Sequence, residues 1–154
     1  MPTPFELLHS DHEKVRQLLE KLTETTNRAE KTRTQLLAEI ATELEVHTTI
    51  EEEIFYPAIA ARARNNAQRE DVAEGFEEHR AVKRLVLPDL QQTDVTSPEF
   101  GGRAKVLREL VLHHAEEEED ELFELARQLL STEQLEELGT HMQARKQELL
   151  EQKG

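Results

Sequence analysis

At 154 residues, with net charge −14 and no cysteine, the chain suits one domain around one core and has neither a disulfide framework nor a thiolate metal site, so any metal would be held by His, Asp and Glu. Acidic residues run through every segment with no basic patch against them, so a phosphate backbone is repelled and no nucleic-acid partner is expected. No stretch approaches the roughly 18 apolar residues of a membrane span and MPTPFELLHSDH carries no basic region followed by an apolar run, so no membrane is expected and the expected location is cytoplasmic.

Hydrophobic residues at 36 % and charged residues at 34 %, with only 5 Gly and 5 Pro, point to long helices with polar outer faces. Thr3, Pro4 and Glu6 open a first helix over about 4–27, with Phe5, Leu8, Val15, Leu19 and Leu22 on one stripe. After the polar turn TNRAEK, a second helix over about 31–63 shows Leu36, Leu37, Ile40, Leu44, Ile50, Ile54 and Ala58. Val72, Phe76, Val82 and Val86 mark a third, expected to end at Pro88. A fourth, capped by Ser97, carries Leu107, Leu110, Val111, Leu122, Leu125 and Leu129; Ser131 and Gln134 open a fifth with Leu135, Leu138, Met142 and Leu149. The predicted fold is all-α, an antiparallel up-down-up-down four-helix bundle over 1–130 with an additional C-terminal helix over 131–154. That last helix is expected either to cap the bundle or to pair two copies as a homodimer.

Polar residues interrupt the apolar stripes. At about 100° per residue, His47 falls in the middle of the second stripe and Glu51 lies about 40° from it; His114 and Glu118 repeat the arrangement on the fourth helix. His12 sits among Phe5, Leu8, Val15 and Leu19, and His79 among Val72, Phe76, Val82 and Val86. Counted from the turns near 29, 65 and 95, the four histidines differ in depth by only about a turn. His113 and His9 fall off their stripes, and His141 lies outside the constellation. Two buried carboxylates without counter-charge cost several kcal/mol each. A carboxylate from each of two helices can bridge ions about 3.5 to 4 Å apart, with histidines as terminal ligands, so the six residues predict a dinuclear metal site.

ELLHSDHEKVRQL, ELEVHTTIEEEIFYPAI, EEHRAVKRL and VLHHAEEEEDELF each resemble, in family order over about residues 5–127, the motifs of the haemerythrin-like (HHE cation-binding) family. The resemblance implies a four-helix bundle with two iron ions bridged by an oxo or hydroxo group and two glutamates, handling a small diatomic or peroxide ligand in an oxidative or nitrosative stress role. It implies His12, His47, Glu51, His79, His114 and Glu118 as ligands. Oxygen-carrying haemerythrins place two histidines four apart on the third helix; here the positions four before and four after His79 are Gly75 and Lys83. One ion therefore lacks a ligand, to be supplied by water, His9 or an acidic side chain, and Lys83 is the candidate catalytic proton donor. Tyr56 lies about 180° from His47 on an ideal helix, which makes Phe55 the expected pocket-lining residue unless Pro57 rotates the turn. Peroxide-decomposing activity is the enzymatic expectation; cation storage or sensing without turnover, and a structural helical adaptor, are the alternatives.

Overall fold

The computed structural model describes residues 3–153, and all the regular structure among them is helical. Helix α1 (Pro4–Glu24) begins where the Thr3 side chain accepts the Glu6 N–H, with Pro4 in the first turn, and it stops at Thr25, which is extended. Helix α2 joins the α-helix Glu30–Ile50, the π-helical turn Glu51–Phe55 and the α-helix Tyr56–Arg62. Helix α3 joins Asn66–Ala81, the π-helical turn Val82–Val86 and Leu87–Gln91; α4 joins Pro98–Glu117, the π-helical turn Glu118–Leu122 and Phe123–Leu129. Helix α5 spans Thr132–Lys153, opened by reciprocal bonds in which Ser131 N–H donates to Gln134 Oε1 and Gln134 N–H to Ser131 Oγ.

Helices α1 to α4 form the expected antiparallel bundle. The expected stop at Pro88 is not found: α3 continues through it to Gln91. The π-turn before it is the reason. Leu87 N–H reaches back five residues to Val82 O, so the proline follows a place where the α-helical register is already broken. Pro57 follows the π-turn of α2 in the same position, just after the bond from Tyr56 N–H to Glu51 O.

The apolar interior is divided in two. One core gathers Leu8, Ile50, Phe55, Ile59, Val72, Leu122, Phe123 and Met142; the other gathers Val15, Leu19, Ile40, Leu44, Val82, Leu90, Phe100 and Leu107. Between them the bundle carries a buried polar layer. The far end of the second core is tied by buried Arg33, whose guanidinium donates to Thr25 Oγ1 at 2.9 Å and to the Val95 carbonyl, joining the α1–α2 turn to the α3–α4 loop. Helix α5 lies on α1 and α2 and completes the first core with Met142 and Leu149, each worth about 1.5–3 kcal/mol of burial. Its apolar face is therefore used within the chain, and pairing of two copies through α5 would have to use its charged outer face.

Candidate metal centre

At the centre of the polar layer are the six stripe-interrupting residues. His12, His47, Glu51, His79 and Glu118 are buried and His114 nearly so, with Glu51 and Glu118 at 0 % and 2 % exposure. Glu51 and Glu118 each open a π-helical turn four residues after a histidine, so the bundle's irregular backbone gathers at the level of the cluster.

The four histidines turn Nε2 inward. His47 Nε2 and His79 Nε2 stand 3.1 and 3.0 Å from Glu51 Oε1, while His12 Nε2 lies 3.1 Å from Glu118 Oε1 and His114 Nε2 3.5 Å from Glu118 Oε2. These atoms fall into two four-residue groups, His12/His47/Glu51/Glu118 and Glu51/His79/His114/Glu118, each within 4.8 Å of one another. Both glutamates belong to both groups. His12 Nε2, His47 Nε2, both oxygens of Glu51 and Glu118 Oε1 are buried without any hydrogen-bond partner. Buried polar atoms left without a partner cost roughly 1–3 kcal/mol each, and here they all face one space. A set of nitrogen and carboxylate donors with no sulfur fits a pair of borderline divalent or trivalent cations.

Each ring is held from outside by a carboxylate on a neighbouring helix. His47 Nδ1 donates to Asp11 Oδ2 at 2.9 Å, His79 Nδ1 to Glu52 Oε2 at 2.8 Å, His114 Nδ1 to Glu78 Oε1 at 2.6 Å and His12 Nδ1 to Glu119 Oε2 at 2.6 Å. The four bonds close a circuit, α1 to α2, α2 to α3, α3 to α4 and α4 to α1. Such bonds fix the tautomer that leaves Nε2 free for a cation. These four acids were not foreseen from the sequence, although each adjoins a cluster residue: Asp11–His12, Glu51–Glu52, Glu78–His79, Glu118–Glu119. The acid precedes on α1 and α3 and follows on α2 and α4. Neighbouring helices run in opposite directions, so one residue backward on one and one forward on the next rotate the same way, about 100° about each helix's own axis.

Tyr56, set aside on ideal helix geometry, is fully buried and points into the cluster. Its hydroxyl donates to Glu118 Oε2 at 2.5 Å and lies 3.3 Å from both His79 Nε2 and His114 Nε2. Residues of a π-turn advance by less than the about 100° of an α-helix, and five of them between Glu51 and Phe55 swing Tyr56 back by roughly a quarter turn. Phe55 turns instead into the core, 5.9 Å from the Phe123 ring. The Tyr56 ring occupies space left by Gly75, one of the two positions four residues from His79.

Lys83 does not reach the cluster. Its ammonium stands 3.9 Å from Glu45 and 3.9 Å from Glu52, on the outer side of the Glu52–His79 bond. His9 is likewise outside, its Nδ1 2.9 Å from Glu119 Oε1. His113 pairs with Glu117 on the surface and His141 is exposed.

Protonation follows from this crowding of acids. Burial works to lower His47, but Glu51 and Asp11 outweigh it and raise the ring well above its ordinary value. Burial is likewise overcome at His79 by Glu51 and Glu52, and at His114 by Glu118 and Glu78, which push it up to about 10. Burial also opposes the charge on Glu118, yet the neighbouring His114 and His12 rings hold its carboxyl well below the usual range. Burial, then Glu51 and Glu118, raise the Tyr56 phenol well above its ordinary value. Without a metal, protons on His47, His79 and His114 supply positive charge beside the carboxylates.

Beside the imidazoles lies a cavity of about 30 Å³, walled by Val15, Leu44, Val82, Val111, Leu112 and Ala115. That is room for one water-sized or diatomic molecule.

Fold and site together define a four-helix-bundle protein with buried His/Glu groups suited to cations. The chain matches the Hemerythrin HHE cation binding domain over residues 3–126. It belongs to the hemerythrin HHE cation-binding family. A solved structure of a Hemerythrin HHE cation binding domain-containing protein from Mycobacterium kansasii is similar over 97 % of this chain and 88 % of that one, with TM-score 0.83 and 28 % identity. A Nostoc protein named DNA nickase is 31 % identical over 97 % of this chain, which spans only 40 % of that relative's length.

Proposed function

We propose that this chain is a non-haem di-iron protein that binds or processes dioxygen, peroxide or nitric oxide in an oxidative or nitrosative stress role. One iron would be held by His12, His47, Glu51 and Glu118, the other by Glu51, His79, His114 and Glu118, with both glutamates bridging. The observation that carries this reading is the sharing of Glu51 and Glu118 by the two donor groups. When bound, an iron pair supplies electrons and open coordination positions for small-molecule chemistry.

The chain's own residues do the rest. The outer carboxylates orient the four Nε2 atoms, and the apolar wall of Val15, Leu44, Val82 and Val111 excludes water from the space beside them. Tyr56 holds its proton at Oη against Glu118 and stands in the His79/His114 half, where the third helix offers one histidine rather than two. It supplies an oxygen donor and a proton at that place. Lys83, directed at Glu45 and Glu52, serves this centre by steadying Glu52 rather than by meeting a substrate.

Cation storage or sensing without turnover is the second reading. It is favoured by the anionic face of Glu74, Glu78 and Glu117, whose carboxylates cluster beside His114 and attract cations. DNA nicking is not carried over from the Nostoc relative, because a chain of net charge −14 repels a phosphate backbone. The test is metal analysis of protein expressed with iron and zinc both supplied, with optical spectra before and after peroxide. Two irons per chain and consumption of peroxide are expected. Two irons without consumption would favour storage or sensing; zinc with iron excluded would sink the di-iron reading; unchanged stability in chelator would point to an adaptor.

A further inference from the structure

On α5 the buried stripe of Met142 and Leu149 is interrupted by a lysine. Lys146 lies one turn beyond Met142 and donates from Nζ to Asp11 Oδ1 at 2.6 Å. The other oxygen of the same carboxylate accepts His47 Nδ1–H at 2.9 Å. The side chains of Glu52, Glu78 and Glu119 are 29–30 % exposed, so water can complete their shells; that of Asp11 is 4 % exposed. Asp11 therefore depends on protein groups for its remaining hydrogen bonds, and the cation that meets this need comes from a helix outside the bundle, 135 residues away in sequence.

We propose that α5 is a positioning element of the cation centre, Lys146 acting through Asp11 and His47 to set cation affinity in the His12/His47 half. This rests on the reading that the cluster holds two cations. The bonds fix the carboxylate and hence the ring: with Lys146 in place Asp11 cannot turn away from His47, and Nε2 is held toward Glu51. Linkage makes the effect reciprocal. A cation in that half tightens the docking of α5, and loosening of α5 weakens that half while leaving the His79/His114 half, which has no bond to α5, as it was.

The experiment is titration of chelator-stripped full-length protein with ferrous iron in the absence of oxygen, with hydrogen exchange of α5 amides followed in parallel. Lys146→Met is expected to lower the affinity of one of two equivalents by roughly 10-fold or more, the magnitude typical of a lost ligand-orienting partner, and to leave the other unchanged. Lys146→Arg is expected to restore most of it. Gln147→Ala, at an exposed position of α5 beside Lys146, is expected to change neither. In the wild type, iron should slow exchange in α5, an arm that needs no variant. Two wild-type equivalents with exchange in α5 indifferent to iron would overturn the proposal, as would equal weakening of both equivalents in Lys146→Met. A wild type that takes up fewer than two ions would overturn the underlying di-iron reading, and the proposal with it.

Discussion

Gly75 lies so close under the Tyr56 ring that a Cβ there would stand 3.0 Å from Cε2, Cζ and Oη. Alanine in a helix interior ordinarily stabilises by about 1 kcal/mol relative to glycine. Here the ring is also flanked by Phe76 at 5.2 Å and His79 at 5.3 Å, so it has little room to retreat, and overpacking of this kind costs about 1–3 kcal/mol. Gly75→Ala should therefore lower the melting temperature of the metal-free protein. A rise would show that Tyr56 moves freely.

Tyr56→Phe keeps the ring and removes the hydroxyl that meets Glu118 at 2.5 Å. Leaving that buried carboxylate oxygen without its donor should destabilise the metal-free chain by about 1–3 kcal/mol. Since the imidazoles 3.3 Å from Oη are those of His79 and His114, the loaded variant should release one of its two ions faster to a competing chelator. Equal release of both would place the hydroxyl outside the donor set.

Residues shared by the two groups and residues confined to one should differ in stoichiometry. Glu118→Ala is expected to lose both ions and His47→Ala one, each with a lower melting temperature in the presence of metal. His113→Ala and His141→Ala should retain two, because the first pairs with Glu117 at the surface and the second is exposed. Elemental analysis of the four purified variants decides the matter.

The raised histidines make stability depend on pH in a definite direction. Their folded values lie above the unfolded one, near 6.5, with His114 at about 10. The stabilisation they give the metal-free chain is complete below about pH 6.5 and is lost as pH climbs through the folded values. Metal-free protein should melt at lower temperature as pH is raised from 7 to 10. Metal uptake at neutral pH should release protons, because the Nε2 atoms must be deprotonated to bind. Calorimetric titration in buffers of different ionisation enthalpy measures that release; none would mean that the imidazoles are neutral already.

Lys83→Met tests how far the outer layer matters. Its pairs with Glu45 and Glu52 are both 3.9 Å long and partly exposed, the kind of contact worth about 0–1 kcal/mol. The variant should keep two ions and, if the wild type consumes peroxide, should keep consuming it. A large loss of turnover with full metal content would return Lys83 to the role of proton donor.

The sequence by itself determined the bundle and the six inner residues, because both depend on helical periodicity. His47 and Glu51, or His114 and Glu118, share a face by spacing alone, and counting residues from the turns sets their depth. Only the tertiary structure decided Tyr56, the passage of α3 through Pro88, and the acids behind the rings. Periodicity misplaces Tyr56 because a π-turn changes the angle per residue, and a local apolar pattern does not announce where such a turn falls. Asp11, Glu52, Glu78 and Glu119 lie off the stripes and look like solvated surface; they matter because of which helix stands beside which, and in which direction it runs. Lys146 is the furthest case: nothing within its own helix shows that its ammonium meets Asp11, a contact that exists only once α5 has folded back onto α1 and α2.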